Sequence, residues 1–306
     1  SVSAFLLNRS SDLCHYECVT VLAPAKINLG LQVLPRRNDG FHSIRSLFTT
    51  VNLCDRITVS VSDKKNFCGV SCEGMALPSE NTFTKAYKAF CVLTGVESGV
   101  SVEVTKHIPS GGGLGGGSSD ASSFLQSIDT IFGTGLSETE FMKLSGEVGS
   151  DCFFFTKALL ACKNTALFRP FAAFVEGRGE VVTELRARND YSVLLVMPEV
   201  SVSTPLAYNL VDAAGTTALD RNFGIEDAAG LYAKDVLEWN FVNDFTLPVR
   251  GAFEKVNEAL NDIGESGADF ADMSGSGSTV FGVFSDAARA QKALAVLQKK
   301  WRAVLV

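Results

Sequence analysis

Pro109-Ser-Gly-Gly-Gly-Leu-Gly-Gly-Gly-Ser-Ser-Asp120 places six glycines in the seven positions 111–117. Glycine loses more backbone freedom on ordering than any other residue, so a fixed glycine run has to serve a purpose. What it permits is close approach of backbone N–H groups to something bulky. Immediately downstream, Ala121, Phe124, Leu125, Ile128 and Phe132 fall at i, i+3, i+4, i+7 and i+11, the apolar stripe of a helix. A glycine loop that opens a helix aims its own amides and the helix dipole at one spot, and so can hold phosphate without Lys or Arg. A flexible linker is the plain alternative. It would not run straight into a striped helix or carry Leu114 at its centre. A Walker A loop would need Gly-Lys-Ser/Thr, whereas Gly117 is followed by Ser118. A dinucleotide fingerprint would follow the first strand of a βαβ unit, but this loop starts at residue 109 with no acidic residue suitably placed after it.

Working outward, the upstream chain is rich in strand signals. Val19–Leu22 and Ile27–Leu34 read as strands separated by a turn at Pro24, followed by Leu47–Leu53 and Ile57–Val61. Glu80–Thr94 has helical spacing with Asn81 at its start, and Val100–Val104 alternates as a strand. Downstream, Ser137-Glu-Thr-Glu140 is a capping box for a helix reaching about Val148, and Asp151 stands at the turn into the apolar run Cys152–Phe155. Tyr191–Met197 reads as a buried strand and Gly251–Ile263 as a helix. Ser274-Gly-Ser-Gly-Ser278 is a second loop of small residues, leading into the strand Thr279–Phe284, and Asp286 caps a helix to about Lys300. Residues 1–18 read as an irregular extension. The class is α+β, and the polar Arg186–Asp190 stretch divides the chain into 1–188 and 189–306.

Bulk properties narrow the function. Of the 306 residues, 46% are hydrophobic and 20% charged, a soluble globular profile long enough for one large or two ordinary domains. A net charge of −7 gives no basic face for nucleic acid, and no apolar run approaches the ~18–20 residues a membrane span requires. The eight cysteines (Cys14, Cys18, Cys54, Cys68, Cys72, Cys91, Cys152 and Cys162) lack zinc-site spacing, and in a chain this long read as reduced thiols of a cytoplasmic protein. A monomer or weak homodimer is expected.

Three motifs, in order along the chain, resemble those of the GHMP kinases: Pro24-Ala-Lys-Ile-Asn-Leu-Gly30, the glycine loop, and Ser274–Ser278. Within that family, Asp39-Gly-Phe-His42, Gly149-Ser-Asp151, Gly177-Arg-Gly-Glu180, Ser203-Thr-Pro205 and Asn243-Asp244 are similar to the branch that phosphorylates a CDP-linked methylerythritol in the non-mevalonate isoprenoid pathway. The resemblance implies two α+β domains, an N-terminal ATP-binding and catalytic one and a C-terminal one, with the active site in the cleft between them. It implies ATP as donor, Mg²⁺ as cofactor, and the acceptor's 2-hydroxyl as the target. Its rivals are another GHMP kinase, of homoserine or mevalonate type, a non-catalytic nucleotide-binding paralogue, and a simple anion-binding module. A mevalonate-type acid would need cationic groups in place of the Phe41-His42 pair. Retention of both Lys26 and Asp151 speaks against decay, and an anion module leaves the other two motifs unexplained.

The resemblance also assigns roles. Asp151 would face the acceptor hydroxyl and Lys26 would keep it ionised while offsetting charge on the transferring group. Gly111, Gly112, Gly113, Leu114, Gly115, Gly116, Gly117, Ser118 and Ser119 would take the ATP phosphates, with Asn81 and Lys106 near the adenine. Asn28, two residues beyond Lys26, shares its strand face and would orient the substrate. Phe41 would be an aromatic wall where relatives often carry Tyr, His42 would read the base edge, and Tyr208 would be the opposite aromatic face. Thr204, Gly275 and Gly277 complete the substrate set, and no metal ligand can be named. Taken singly, each has a structural alternative: turn, cap or core residue. Two departures stand out. Cys152-Phe153 replaces the usual Val-Pro, and Thr156–Arg169 reads as an insertion in which Lys157–Lys163 would form an extra strand or a loop.

Overall fold

A computed structural model describes residues 8–9, 16–162, 168–215 and 223–306. After a two-residue strand, β1 (Asn8–Arg9), come two long ones, β2 (Tyr16–Arg36) and β3 (His42–Lys65). The turn expected at Pro24 is not there. Proline's fixed φ is compatible with extended backbone, and Val19, Val21, Ile27 and Leu29, all buried, carry the strand through it. The two separate strands read after residue 47 are likewise one, β3.

The chain divides into two compact units, one of residues 1–25, 53–108 and 115–169, the other of residues 26–52, 109–114 and 170–306. This differs from a single cut at 188/189, because β2, β3 and the glycine loop each contribute residues to both.

In the first unit, the later part of β3 pairs antiparallel with β5 (Ser98–Thr105), and β4 (Cys68–Cys72) runs parallel to β5. Alternating Val19, Val21, Ile57, Val59, Val100 and Val102 meet Phe83, Phe90, Phe124 and Ile128 in one core. Those aromatics come from α1 (Thr82–Thr94) and α2 (Gly116–Phe132). Helices packed on one face of a largely antiparallel sheet are the α+β arrangement. The Asn81 and Ser137 capping boxes open α1 and α3 (Glu138–Val148) as read from sequence. Helix α2 is buried nearly all round from Ser119 to Ile128, so its apolar stripe is only part of the contact surface. Lys157–Ala161 is neither strand nor loop. It completes α4 (Cys152–Ala161), a segment without Gly or Pro and with Phe154, Phe155, Ala158 and Leu159 buried. Residues 163–167 of the apparent insertion lie outside the described residues.

In the second unit, β11 (Arg302–Leu305), β8 (Ser192–Met197), β10 (Val280–Phe284) and β9 (Phe270–Met273) form an antiparallel sheet in that order. It packs against α5 (Thr204–Ala214), α7 (Thr246–Ala252), α8 (Glu254–Glu265) and α9 (Ala287–Leu297) through Leu194, Val196, Val249, Val256, Ile263, Phe284 and Ala290. The helix read over 251–263 is two helices, broken where Phe253 turns extended at φ −127°. A short helix, α6 (Ile225–Tyr232), precedes them. Two further strands, β6 (Ala172–Gly177) and β7 (Val181–Leu185), pair with each other, and β6 also pairs with Ile44–Thr49 of β3.

Among the described residues no helix is long and apolar enough to cross a membrane, and no group of three or more His, Cys, Asp or Glu stands together as a metal site. Burial pushes the thiols of Cys54, Cys68 and Cys152 up to about 12. Phe124 is fully buried, edge-on to Phe83 at 5.5 Å. Phe124→Ala is expected to destabilise the first unit by about 3–5 kcal/mol, read as a lower urea midpoint for the transition that exposes α2.

Candidate active site

In the second unit the site is built around a buried lysine. Lys26 and Asn28 lie two apart on β2 and so share a face. Lys26 is 4% exposed and Asn28 fully buried. The ammonium donates to Asn28 Oδ1 at 2.7 Å and to the Gly113 carbonyl at 2.9 Å, and stands 4.8 Å over the Phe48 ring. Asn28 Nδ2 donates to Ser46 Oγ at 2.9 Å, and Ser46 Oγ donates to the Gly30 carbonyl at 2.7 Å. That chain fixes which end of the amide faces the lysine. The Lys26 N–H donates to the Leu114 carbonyl at 3.0 Å.

The two small-residue loops lie against each other here. Gly113 has φ +75°, and a Cβ on it would stand 2.0 Å from the Ser274 carbonyl oxygen. Ser274 Oγ donates to the Gly113 carbonyl at 3.0 Å, and the Thr279 N–H to that of Gly112 at 3.2 Å. A Cβ on Gly275 would come within 3.3 Å of both Lys26 Nζ and Asn28 Oδ1. Part of the glycine richness thus serves loop-on-loop packing, a use that the composition alone did not suggest. Gly277 donates its N–H to the Ser274 carbonyl at 3.0 Å, closing the second loop.

Helix α5 brings the expected substrate residues of this unit alongside. It starts at a Ser203 cap followed by Pro205. Thr204 Oγ1 lies 3.4 Å from Ser276 Oγ. One turn on, on the same face, Tyr208 stacks on His42 with centroids 5.2 Å apart and planes at 16°, and meets Phe245 edge-on at 4.9 Å. His42 is anchored by Nδ1 to the Leu34 carbonyl at 2.8 Å, with Nε2 3.3 Å from Asp212 Oδ1. Tyr208 therefore lies on His42 itself, leaving no gap for a third ring between these two. Phe41 stands half exposed beside them in sequence.

Apart from Gly111, which belongs to the second unit, the remaining sequence-identified residues belong to the first. Gly115 is the N-cap residue of α2, no side chain caps that helix, and the Ser118 and Ser119 N–H groups donate to the Gly115 carbonyl at 3.1 and 3.0 Å. Ser119 Oγ in the first turn is buried with no partner among the described residues. Asp151 opens α4 without capping it. The two helix starts are adjacent: Cys152 Sγ lies 3.7 Å from the Ser118 carbonyl, and Ser122 Oγ donates to the Cys152 carbonyl at 3.2 Å. Asp151 thus stands where two helix N-termini meet.

Lys106 is held between two carboxylates, donating to Asp55 and, at 2.7 Å, to Asp120. Asp55 also accepts the N–H groups of His107 at 2.5 Å and Ile108 at 2.9 Å. Burial raises the Asp120 pKa to about 7, with Lys106 opposing and Asp55 adding to the shift. Asn81 is committed at both ends of its amide: Oδ1 accepts from the N–H groups of Phe83 and Thr84, and Nδ2 donates to the Pro78 carbonyl.

Sequence reading missed several residues. Ser46 and Phe48 sit on β3 without a motif. Asp55 carried no signal except proximity to a strand end. Asn243 lay in a recognised motif but without a role. It is buried, and Nδ2 donates to the Met273 and Gly275 carbonyls, both at 2.8 Å, which holds the second loop in shape.

Comparison with known proteins agrees with this architecture. Residues 81–158 match the GHMP kinases N terminal domain and residues 227–303 the GHMP kinases C terminal domain, which sets the class. The chain is 39% identical over 292 residues to the 4-diphosphocytidyl-2-C-methyl-D-erythritol kinase of Treponema pallidum subsp. pallidum, covering 93% of this chain and 96% of the relative. It is 34% identical to the enzyme of the same name from Thermodesulfovibrio yellowstonii, covering 92% and 95%. A crystal structure of 4-(cytidine 5'-diphospho)-2C-methyl-D-erythritol kinase superposes with a TM-score of 0.74 at 28% identity, covering 94% of this chain and 97% of that one. The chain belongs to the 4-diphosphocytidyl-2-C-methyl-D-erythritol kinase family.

Two outcomes are expected. Gly113→Ala forces a side chain into the Ser274 carbonyl on left-handed backbone, itself worth about 1–2 kcal/mol, and should lower the unfolding midpoint of the second unit. Asp120 binds its proton more tightly folded than unfolded. Its contribution to stability is therefore full below about pH 4 and lost as pH rises through about 7. Asp120→Asn should flatten the urea-midpoint curve between those values.

Proposed function

We propose that this chain transfers the γ-phosphoryl group of ATP to the 2-hydroxyl of 4-diphosphocytidyl-2-C-methyl-D-erythritol, as a cytoplasmic enzyme of the non-mevalonate isoprenoid route. The observation that carries the reading is the buried Lys26 ammonium, fixed between Asn28 and the glycine loop at Gly113. The relatives named for this activity, matched over nine-tenths of their length, supply the substrate.

In this reading Asp151, at the meeting of two helix N-termini, accepts or orients the proton of the acceptor hydroxyl. Lys26 offsets charge developing on the transferring group, a task for a preorganised cation in a water-poor site. Asn28, buried and engaged at both ends, acts by holding Lys26. Gly111–Gly117 with Ser118 and Ser119 take the ATP phosphates. Two observations support the fit: α2 has no side-chain cap, and Ser119 Oγ has no partner among the described residues. Asn81 shapes the first turn of α1 beside the adenine, and Lys106 offers the donor left over from its two carboxylates. Phe41, His42, Tyr208 and Thr204 form the cytidine side, and Gly275 and Gly277 give the substrate room beside Lys26. Mg²⁺ bound with ATP supplies charge neutralisation at the phosphates.

The test is a coupled ADP-release assay with ATP and Mg²⁺, offering the cytidine substrate, homoserine or mevalonate. Turnover is expected only with the first, and Asp151→Asn should lower kcat by about 10²–10⁴-fold. ATP binding without turnover of any of the three would sink the reading.

A further inference from the structure

Two hairpin turns of the second unit stand side by side because Ile44 of β3 is paired with Gly177 of β6. The first turn carries Phe41, and its backbone is fixed. The Arg37 N–H donates to the Phe41 carbonyl at 2.8 Å, the Gly40 N–H to the Arg37 carbonyl at 3.0 Å, and the Phe41 N–H to Asp39 Oδ1 at 3.1 Å. The second turn carries Arg178 and is fixed as well, by the Gly179 N–H on the Glu176 carbonyl at 3.1 Å and the Arg178 N–H on Glu180 Oε2 at 2.5 Å. Between them, the Arg178 guanidinium carbon lies 3.9 Å from the Phe41 ring centroid.

The surrounding charges make this contact informative. Three carboxylates lie near these turns, and each is engaged elsewhere: Glu180 on the Arg178 backbone, Glu176 at 3.5 Å from Arg45, Asp39 at 3.0 Å from Arg37. Among the described residues the Arg178 side chain makes no ion pair or hydrogen bond, and its guanidinium lies over the ring. The ring it covers belongs to a residue 51% exposed, an unusual cost for a phenyl group. An exposed cation–π contact is worth about two- to five-fold in an equilibrium, too little to explain an exposed phenylalanine as a stabilising device. It is enough to hold one ring in one orientation.

We propose that Arg178 is a positioning residue of the nucleobase subsite, backing Phe41 so that the other face of the ring is presented, already ordered, to the base of the acceptor. This rests on the cytidine reading above. A ring fixed before binding spares the complex the cost of ordering it. A phenylalanine has no hydroxyl with which to be anchored otherwise, and the planar guanidinium matches its face as a lysine would not.

The experiment combines titration of CDP by calorimetry with steady-state kinetics for wild type, Arg178→Ala, Arg178→Lys, Phe41→Ala and the double variant, at low and high KCl. Arg178→Ala should weaken CDP binding and raise KM for the cytidine substrate by about two- to five-fold, with kcat, KM for ATP and melting temperature little changed. Arg178→Lys should not restore it, and the double variant should be no worse than Phe41→Ala alone, because the two residues act as one unit. Unchanged CDP affinity in Arg178→Ala, or additive losses in the double variant, would overturn the proposal. A loss that Lys repairs and that grows at low salt would replace it with a direct charge contact to the diphosphate. Wild type that neither binds CDP nor turns over the cytidine substrate would instead overturn the parent reading, and this proposal with it.

Discussion

An ammonium group taken out of water loses hydration worth several kcal/mol even after the protein relaxes around it, and Lys26 has been taken almost completely out of water. Much of the second unit's local structure follows from holding it. The amide of Asn28 has to present oxygen, so its nitrogen has to find another acceptor, and Ser46 supplies one by donating onward to Gly30. The Gly113 carbonyl has to reach the same nitrogen, which draws the glycine loop in. The loop fits because Gly113 and Gly275 leave room where side chains would collide. Asn243 then holds the Met273 and Gly275 carbonyls in place from the other side. Removing any of these would leave a buried polar group without its partner, the costly half of the hydrogen-bond asymmetry.

The first unit solves a related problem with opposite charges. Asp55 and Asp120 share Lys106, and a single cation between two buried carboxylates leaves one of them reluctant to ionise. This cluster braces the start of α2, the same helix end whose amides are uncapped. The uncapped start of α2 is thus supported from within by a buried charge cluster.

Local signals were legible in the sequence where they had a local cause. The capping boxes at Asn81 and Ser137 and the cap at Asp286 are each a few residues long, and each is where spacing placed it. Boundaries set by tertiary packing were not legible. Pro24 looked like a turn and is strand, because flanking β-formers bury on both sides of it. Lys157–Ala161 looked like an insertion and continues a helix, because its apolar neighbours Phe154 and Phe155 bury in the helical register. The residues named for the candidate site are those that cluster in sequence as motifs. Ser46, Asp55 and Arg178's contact with Phe41 were not legible, since each meets its partner only through strand pairing or side-chain reach across the fold. The compact units do not follow one linear cut for the same reason: β2 and β3 change company partway along their length.

The cysteines have a practical corollary for inhibitor chemistry. Cys152 follows Asp151 directly and invites an electrophilic warhead aimed at the site, yet its thiol is fully buried and its pKa lies at about 12. Nucleophilic attack proceeds through thiolate, and at neutral pH a thiol so placed offers almost none. Cys54 and Cys68 are held in the same way. These three thiols, for all their promise as covalent handles, are therefore poor targets for an electrophile.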